Sequence, residues 1–228
     1  MGEGTLRTLA AGVHVLEAQQ RFQGLEVGAR MTVLETNAGV LVHGPLNVPG
    51  SALGALGAPR WVVAPNKLHH LHVGRWMEAG AEAWAAPGLA EKRPDLRFAG
   101  CLDSPDSPFG EDIGVFPLRC FRMTNEVVLL HRPSRTLVVT DLVFNFAPTA
   151  PWATRAVMAG LGGYPGCRTT LLERLGFDRA VARPQIAELL SLDFDRLVLS
   201  HGEVIETGGR AALAEALGWL GAPAAAEP

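Results

Sequence analysis

The sequence predicts a single α/β domain, and three observations carry that expectation. The first half holds short runs of β-branched and apolar residues cut by turn dipeptides. The second half is dominated by longer helical patterns with one further strand, and no internal repeat or linker divides the chain. A length of 228 residues with 48% apolar and 19% charged side chains suffices for one buried core and excludes a disordered or collagen-like chain. The domain is expected over residues 1–221, with residues 222–228 a frayed tail.

Taken in order, residues 12–18 and 30–36 read as strands, and Asn37-Ala38-Gly39 turns the chain into a third at 40–43. Residues 60–64 (RWVVA) form a compact apolar run stopped by Pro65-Asn66, which suits a buried strand. Residues 74–86 have helical composition, with Trp76, Met77, Ala81 and Trp84 near helical spacing and Pro87-Gly88 as the stop. Residues 91–112, rich in Pro, Asp and Gly, read as loop with at most one short strand. The plainest hairpin pairs 126–131 (EVVLLH) with 136–143 (TLVVTDLV) across Arg132-Pro133-Ser134-Arg135, where Pro133 presets the turn. Helices are expected at 152–161, 169–175, 183–190 and 210–220, with a strand at 196–200.

A net charge of −3 gives no electrostatic reason to expect nucleic acid or an anionic membrane as partner. No stretch approaches 18 apolar residues, so nothing reads as a membrane span. Cys101, Cys120 and Cys167 lie too far apart for a C-x-x-C site and read as buried free thiols in a reducing compartment. Residues 1–17 lack the pattern of a signal peptide, so the expected location is the cytoplasm.

Polar residues at strand ends are the places where chemistry is commonly presented. Here they are His43 after Val40-Leu41-Val42, the cluster His69-His70-Leu71-His72, Asp141 within Leu137–Phe144, and His201 before Gly202. A carboxylate flanked by strand-forming residues is costly to bury unless it meets a cation, a metal or several donors, so Asp141 is the most informative of these. A structural Asp paired with an arginine is the competing reading. Three imidazoles within four residues suggest a metal, because imidazole is a common neutral ligand, although a histidine at a helix start can simply bond the backbone. The glycine-rich stretch 160–166 carries Pro165 and follows a helix, so it is no dinucleotide fingerprint. No Ser stands in G-x-S-x-G.

This order of strands and polar residues resembles the metallo-β-lactamase superfamily. Val63-Ala64-Pro65-Asn66-Lys67-Leu68-His69-His70-Leu71, the hairpin from Glu126 to Leu142 and Leu199-Ser200-His201-Gly202 resemble a bacterial branch of it that carries a domain of unknown function. The resemblance spans nearly the whole chain and implies an αββα sandwich with the site along one edge. It also implies where this sequence departs. Laid without a gap, the superfamily's H-x-H-x-D-H falls on Asn66-Lys67-Leu68-His69-His70-Leu71, so Asn66 and Leu68 replace both histidines of the first metal site. The third ligand of that site falls near Arg122, which would instead bind an anionic group of a substrate.

The second site keeps more. The resemblance leaves His70, Asp141 and His201 as ligands of one metal, with Asp141 and His201 also the catalytic pair. His69, His72 and His43 stand as additional ligands or as partners of ligands, and a shifted register would use His70 and His72 as the chelating pair. The implied cofactor is one divalent metal: zinc first, iron or manganese as alternatives, or none if the site is retired. The implied function is a metal-dependent hydrolase of a small molecule, with at most a mononuclear site. A relative that binds a ligand or partner without catalysis is the competing function.

Overall fold

A computed structural model describes residues 5–121 and 123–221. In chain order the strands are β1 (Arg7–Ala10), β2 (Val13–Ala18), β3 (Arg21–Phe22), β4 (Leu25–Glu26), β5 (Ala29–Thr36), β6 (Gly39–His43), β7 (Trp61–Ala64), β8 (Glu82–Ala85), β9 (Gly100–Cys101), β10 (Ile113–Pro117), β11 (Val127–His131), β12 (Thr136–Val138), β13 (Phe144–Phe146), β14 (Gly166–Arg168) and β15 (Arg196–Val198). The helices are α1 (Val73–Glu78), α2 (Leu89–Lys92), α3 (Trp152–Gly160), α4 (Leu171–Gly176), α5 (Arg179–Ser191) and α6 (Gly209–Leu217).

Two sheets form the centre. One is ordered β1-β2-β5-β6-β7-β8-β9 and the other β10-β11-β12-β15. The hairpin strand β11 shows why they stack. Val127 and Leu129 belong to a core shared with Val13, Leu41, Trp61 and Val63 of the first sheet, whereas Val128 and Leu130 pack with Ile186, Leu189, Leu213 and Leu217 of α5 and α6. Alternate side chains point to opposite faces of a strand, so a run apolar at every position must be covered on both. The first sheet is covered likewise, with Val42, Val62 and Ala64 against Val73 and Trp76 of α1. The result is the expected αββα sandwich. No helix among the described residues is long and apolar enough to cross a membrane.

Most strands fall where the sequence places them, but the expected helix at 74–86 divides. Helix α1 ends at Glu78, Gly80 turns the chain at φ +96°, and Glu82–Ala85 becomes β8, parallel to β7. The tetrapeptide EAWA buries Ala83 and Ala85 on one face and leaves Glu82 exposed, which is the period of a strand. Cys101, expected to be buried, is exposed, while Cys120 is buried. The tail expected at 222–228 lies outside the described residues.

The topology also sets the site. Strands β6 and β7 run parallel in the first sheet and β12 and β15 run parallel in the second. Parallel neighbours release their chains at the same edge, so the C-terminal ends within each pair lie side by side. His43 ends β6, His69 lies in the turns after β7, Asp141 follows β12 and His201 follows β15.

Candidate metal centre

Three side chains meet at this edge. His69 Nε2 lies 3.2 Å from Asp141 Oδ1 and 3.2 Å from His201 Nε2, and His201 Nε2 lies 3.5 Å from the same Asp141 oxygen. A tetrahedral zinc site with bonds of about 2.0–2.1 Å has ligand atoms about 3.3–3.4 Å apart. The triangle formed by two imidazole nitrogens and one carboxylate oxygen therefore matches one face of such a tetrahedron, and the donor set suits zinc or ferrous iron.

Each corner is held by a buried polar partner. Asn66, fully buried, opens the turn after β7, where its Oδ1 accepts the N–H groups of Leu68 (2.8 Å) and His69 (2.7 Å). Its Nδ2 donates to Asp141 Oδ2 (2.7 Å) and Thr140 Oγ1 (2.9 Å). One amide thus ties the His69 backbone to the Asp141 side chain across two sheets. Where the resemblance implied a lost ligand, the structure places this connector.

Glu126, immediately before β11 and 2% exposed, accepts the N–H of Thr140 on Oε1 and that of Asp141 on Oε2, both at 2.7 Å. His201 is set from the other side. Its Nδ1 lies 2.7 Å from the Gly28 carbonyl oxygen, so Nδ1 carries a proton and donates, and Nε2 is the nitrogen that faces Asp141 and His69. The buried guanidinium of Arg30 donates to the carbonyls of Leu199 and Gly202 on either side of His201, and pairs with Glu17 at 2.7 Å.

The charges follow this geometry. Burial opposes ionisation of Asp141, but the adjacent His69 and His201 outweigh it and hold the carboxyl well below the usual range. For His201, burial works downward, yet the hydrogen bond and charge of Asp141 and the carbonyl at Gly28 leave it above its ordinary value. Burial first, and the charge of Asp141 second, push Glu126 up to about 7.

The other candidates lie differently. His70, placed in the ligand set by the ungapped motif, turns away. Its Nδ1 lies 3.0 Å from Arg93 Nη1, and His69 stands beside Asp141 and His201 instead. The reason is local: the Asn66 carbonyl oxygen fixes the turn through the His69 N–H, which decides which of the two neighbouring rings faces inward. His72 occupies the N-cap position of α1 with no side-chain capping bond and is outside the cluster. His43 is buried beside this group; burial and the neighbouring His69 bring it down to about 3, and its Nε2 has no hydrogen-bond partner among the described residues. Arg122 lies outside the described residues. Sequence reasoning passed over Glu126, Arg30 and the connecting role of Asn66. The signal for Glu126 was an acidic residue heading an otherwise apolar strand.

In sequence, no family model and no curated protein matches the chain. Solved structures match over nearly its whole length. The FIM-1 metallo-β-lactamase of Pseudomonas aeruginosa in its mono-zinc form superposes with a TM-score of 0.68 at 12% identity, covering 97% of this chain and 98% of that one. A metallo-β-lactamase from Erythrobacter litoralis gives 0.70 at 12% identity, covering 97% of each chain. One from Pontibacter korlensis gives 0.67 at 12% identity, covering 96% and 99%. At this identity the likeness is one of fold: the chain has the metallo-β-lactamase fold.

Proposed function

We propose that the protein is a metal-dependent hydrolase with a mononuclear centre held by His69, Asp141 and His201. The observation that carries this reading is the triangle of donor atoms at 3.2, 3.2 and 3.5 Å, with the His201 tautomer already set for ligation. Three protein ligands leave a fourth position open, as hydrolytic zinc sites require. Zinc suits this donor set best, with iron or manganese as alternatives. The resemblance in fold to a metallo-β-lactamase solved in its mono-zinc form supports the reading.

A bound divalent ion would lower the pKa of its water to about 7 and polarise a carbonyl or phosphoryl oxygen of the substrate. The chain's own residues do the rest. Asp141 presents Oδ1 to the centre while Asn66 occupies Oδ2, so the carboxylate is held in one orientation. His201 is fixed through its far nitrogen by Gly28. The Asn66 amide, spent on four hydrogen bonds, leaves no donor for a second metal, which favours a single ion. Leu68 and Leu71 flank the His69-His70 pair and are more than half exposed, so a small-molecule substrate with an apolar portion suits the approach. The same proposal includes a cytoplasmic location, which three unpaired cysteines suit.

The second reading is a ligand- or partner-binding relative without catalysis. It draws on one observation: His69, Asp141 and His201 also satisfy one another as a hydrogen-bonded set. Elemental analysis of protein purified without chelators separates the two. The hydrolase reading expects one equivalent of metal, lost in Asp141→Ala and His201→Ala, and turnover in an ester, lactam and phosphodiester panel that the same variants abolish. Protein that arrives without metal and takes up neither zinc, manganese nor iron would overturn it.

A further inference from the structure

We propose that Glu126 is the second buried negative charge of the metal centre, a positioning residue that balances a divalent cation through Asp141 without touching it. The inference rests on the mononuclear reading of His69, Asp141 and His201 and deepens it.

Both Glu126 oxygens accept backbone N–H groups at 2.7 Å, from Thr140 and from Asp141 itself. A protonated acid would turn one oxygen into a donor facing an N–H, so this geometry fits the carboxylate. Among the described residues no cationic side chain pairs with it. Asp141, joined to it through one backbone N–H, is buried as well. Two carboxylates next to each other and out of water repel; Asp141 is met by His69 and His201, whereas Glu126 is met by the backbone N–H groups of Thr140 and Asp141.

Closing a turn does not require this. A neutral acceptor satisfies two backbone N–H groups without the cost of a buried charge. The charge becomes useful if the loop carries a cation at its tip. A divalent ion held by two neutral imidazoles and one carboxylate retains a net positive charge, and Glu126 supplies the negative charge that cancels it. The N–H groups link the two parts, since the Glu126 carboxylate polarises and fixes the peptide that carries Asp141.

The test titrates chelator-treated, full-length protein with Zn²⁺ alone, in competition with a chromophoric chelator. Wild type, Glu126→Gln and Glu126→Asp are compared, with thermal midpoints of the metal-free forms measured alongside. Glu126→Gln is expected to weaken zinc binding roughly 10–100-fold, the range seen when a group behind a metal ligand is removed. Glu126→Asp, which keeps the charge, is expected to recover most of that loss. The metal-free Gln variant should melt below wild type, because its amide nitrogen faces one of the two backbone N–H groups, so zinc affinity is read on the folded fraction of each protein. A Gln variant that binds zinc as tightly as wild type, or an Asp variant as weak as Gln, would overturn the role of Glu126 alone. Wild type that binds no zinc would overturn the parent reading and this inference together. Should the Gln variant not fold, Glu126→Asp decides: zinc affinity within a few-fold of wild type supports the inference, and affinity lost overturns it.

Discussion

His201 Nδ1 lies 2.7 Å from the carbonyl oxygen of Gly28, a contact made across 173 positions of sequence between the residue before β5 and the loop after β15. It fixes the histidine's tautomer before any ligand arrives. The loop itself is fixed by Arg30, which begins two residues further along and reaches the carbonyls of Leu199 and Gly202. The His201 corner of the centre is therefore built by the start of β5.

Arg30→Gln is the first test of that construction. The variant leaves the Leu199 and Gly202 carbonyls without their donor, and a buried acceptor stripped of its partner costs about 1–3 kcal/mol. The expected loss of stability for the two carbonyls is therefore roughly 2–6 kcal/mol. Glu17 adds little to this, since it is half exposed and regains water. Denaturant unfolding of metal-free protein gives the stability, and zinc titration of the still-folded fraction should show weakened binding.

Acid stability should depend on His43. Burial brings its ring from an ordinary 6.5 to about 3, with His69 as the second cause. A depressed folded-state value means that stability is fully present above about pH 6.5 and is lost as pH falls toward 3, because the unfolded chain binds the proton first. Between pH 7 and pH 5 the expected loss from this one group is about 2 kcal/mol. His201 opposes it, since a raised value gains stability on protonation. The comparison that isolates His43 is chelator-treated wild type against His43→Leu, whose stability should fall less over the same interval. Parallel pH profiles for the two proteins would refute the assignment.

The sequence makes the two-sheet core legible because its strands are apolar at successive positions. EVVLLH can only be buried on both faces. Short pairings such as β3 with β4, two residues each, leave no such signature. Residues 74–86 misled for a specific reason: the Trp76, Ala81 and Trp84 spacing is close to helical, while the helix ends locally at Gly80, whose positive φ lets its own N–H bond the Met77 carbonyl and the Ala81 N–H bond that of Trp76. At the site, the strand-end positions of Asp141 and His201 are readable from the apolar runs before them. Which of His69 and His70 turns inward is not, since the turn that presents them is shaped by Asn66 Oδ1 accepting the Leu68 and His69 N–H groups. Glu126 shows its role only when the chain after β12 folds back to offer two N–H groups.

Thiol chemistry offers a check on the same fold. Burial pushes Cys120 and Cys167 up to about 12, so both resist forming a thiolate at neutral pH. Cys101 is exposed at the end of β9. Under native conditions one cysteine per chain should react with a thiol reagent, and all three after denaturation. Peptide mapping should place the native label on Cys101, and native labelling of Cys120 would contradict the core described above.

Gly202 gives the most localised prediction about the centre. It follows His201 with φ +93°, and a Cβ built there would sit 2.2 Å from the Asn145 carbonyl oxygen and 2.4 Å from its carbon. Both atoms are backbone and cannot rotate away. Gly202→Ala must therefore displace either the 144–146 strand or the loop that carries His201, losing the Glu203 N–H to Asn145 bond or the Arg30 bond to the Gly202 carbonyl. Movement of the His201 loop opens the donor triangle, whereas the hydrophobic layers on both sheets are untouched. Gly208→Ala is the control: its φ of +71° is likewise positive, yet nothing among the described residues lies within 4 Å of the added carbon. The control is expected to cost about 1–2 kcal/mol of stability from backbone strain alone and to bind zinc as wild type does. Gly202→Ala should lose zinc binding by at least tenfold more than Gly208→Ala, read by titration of both folded proteins. Equal zinc affinities in the two variants would show that the His201 loop tolerates the displacement.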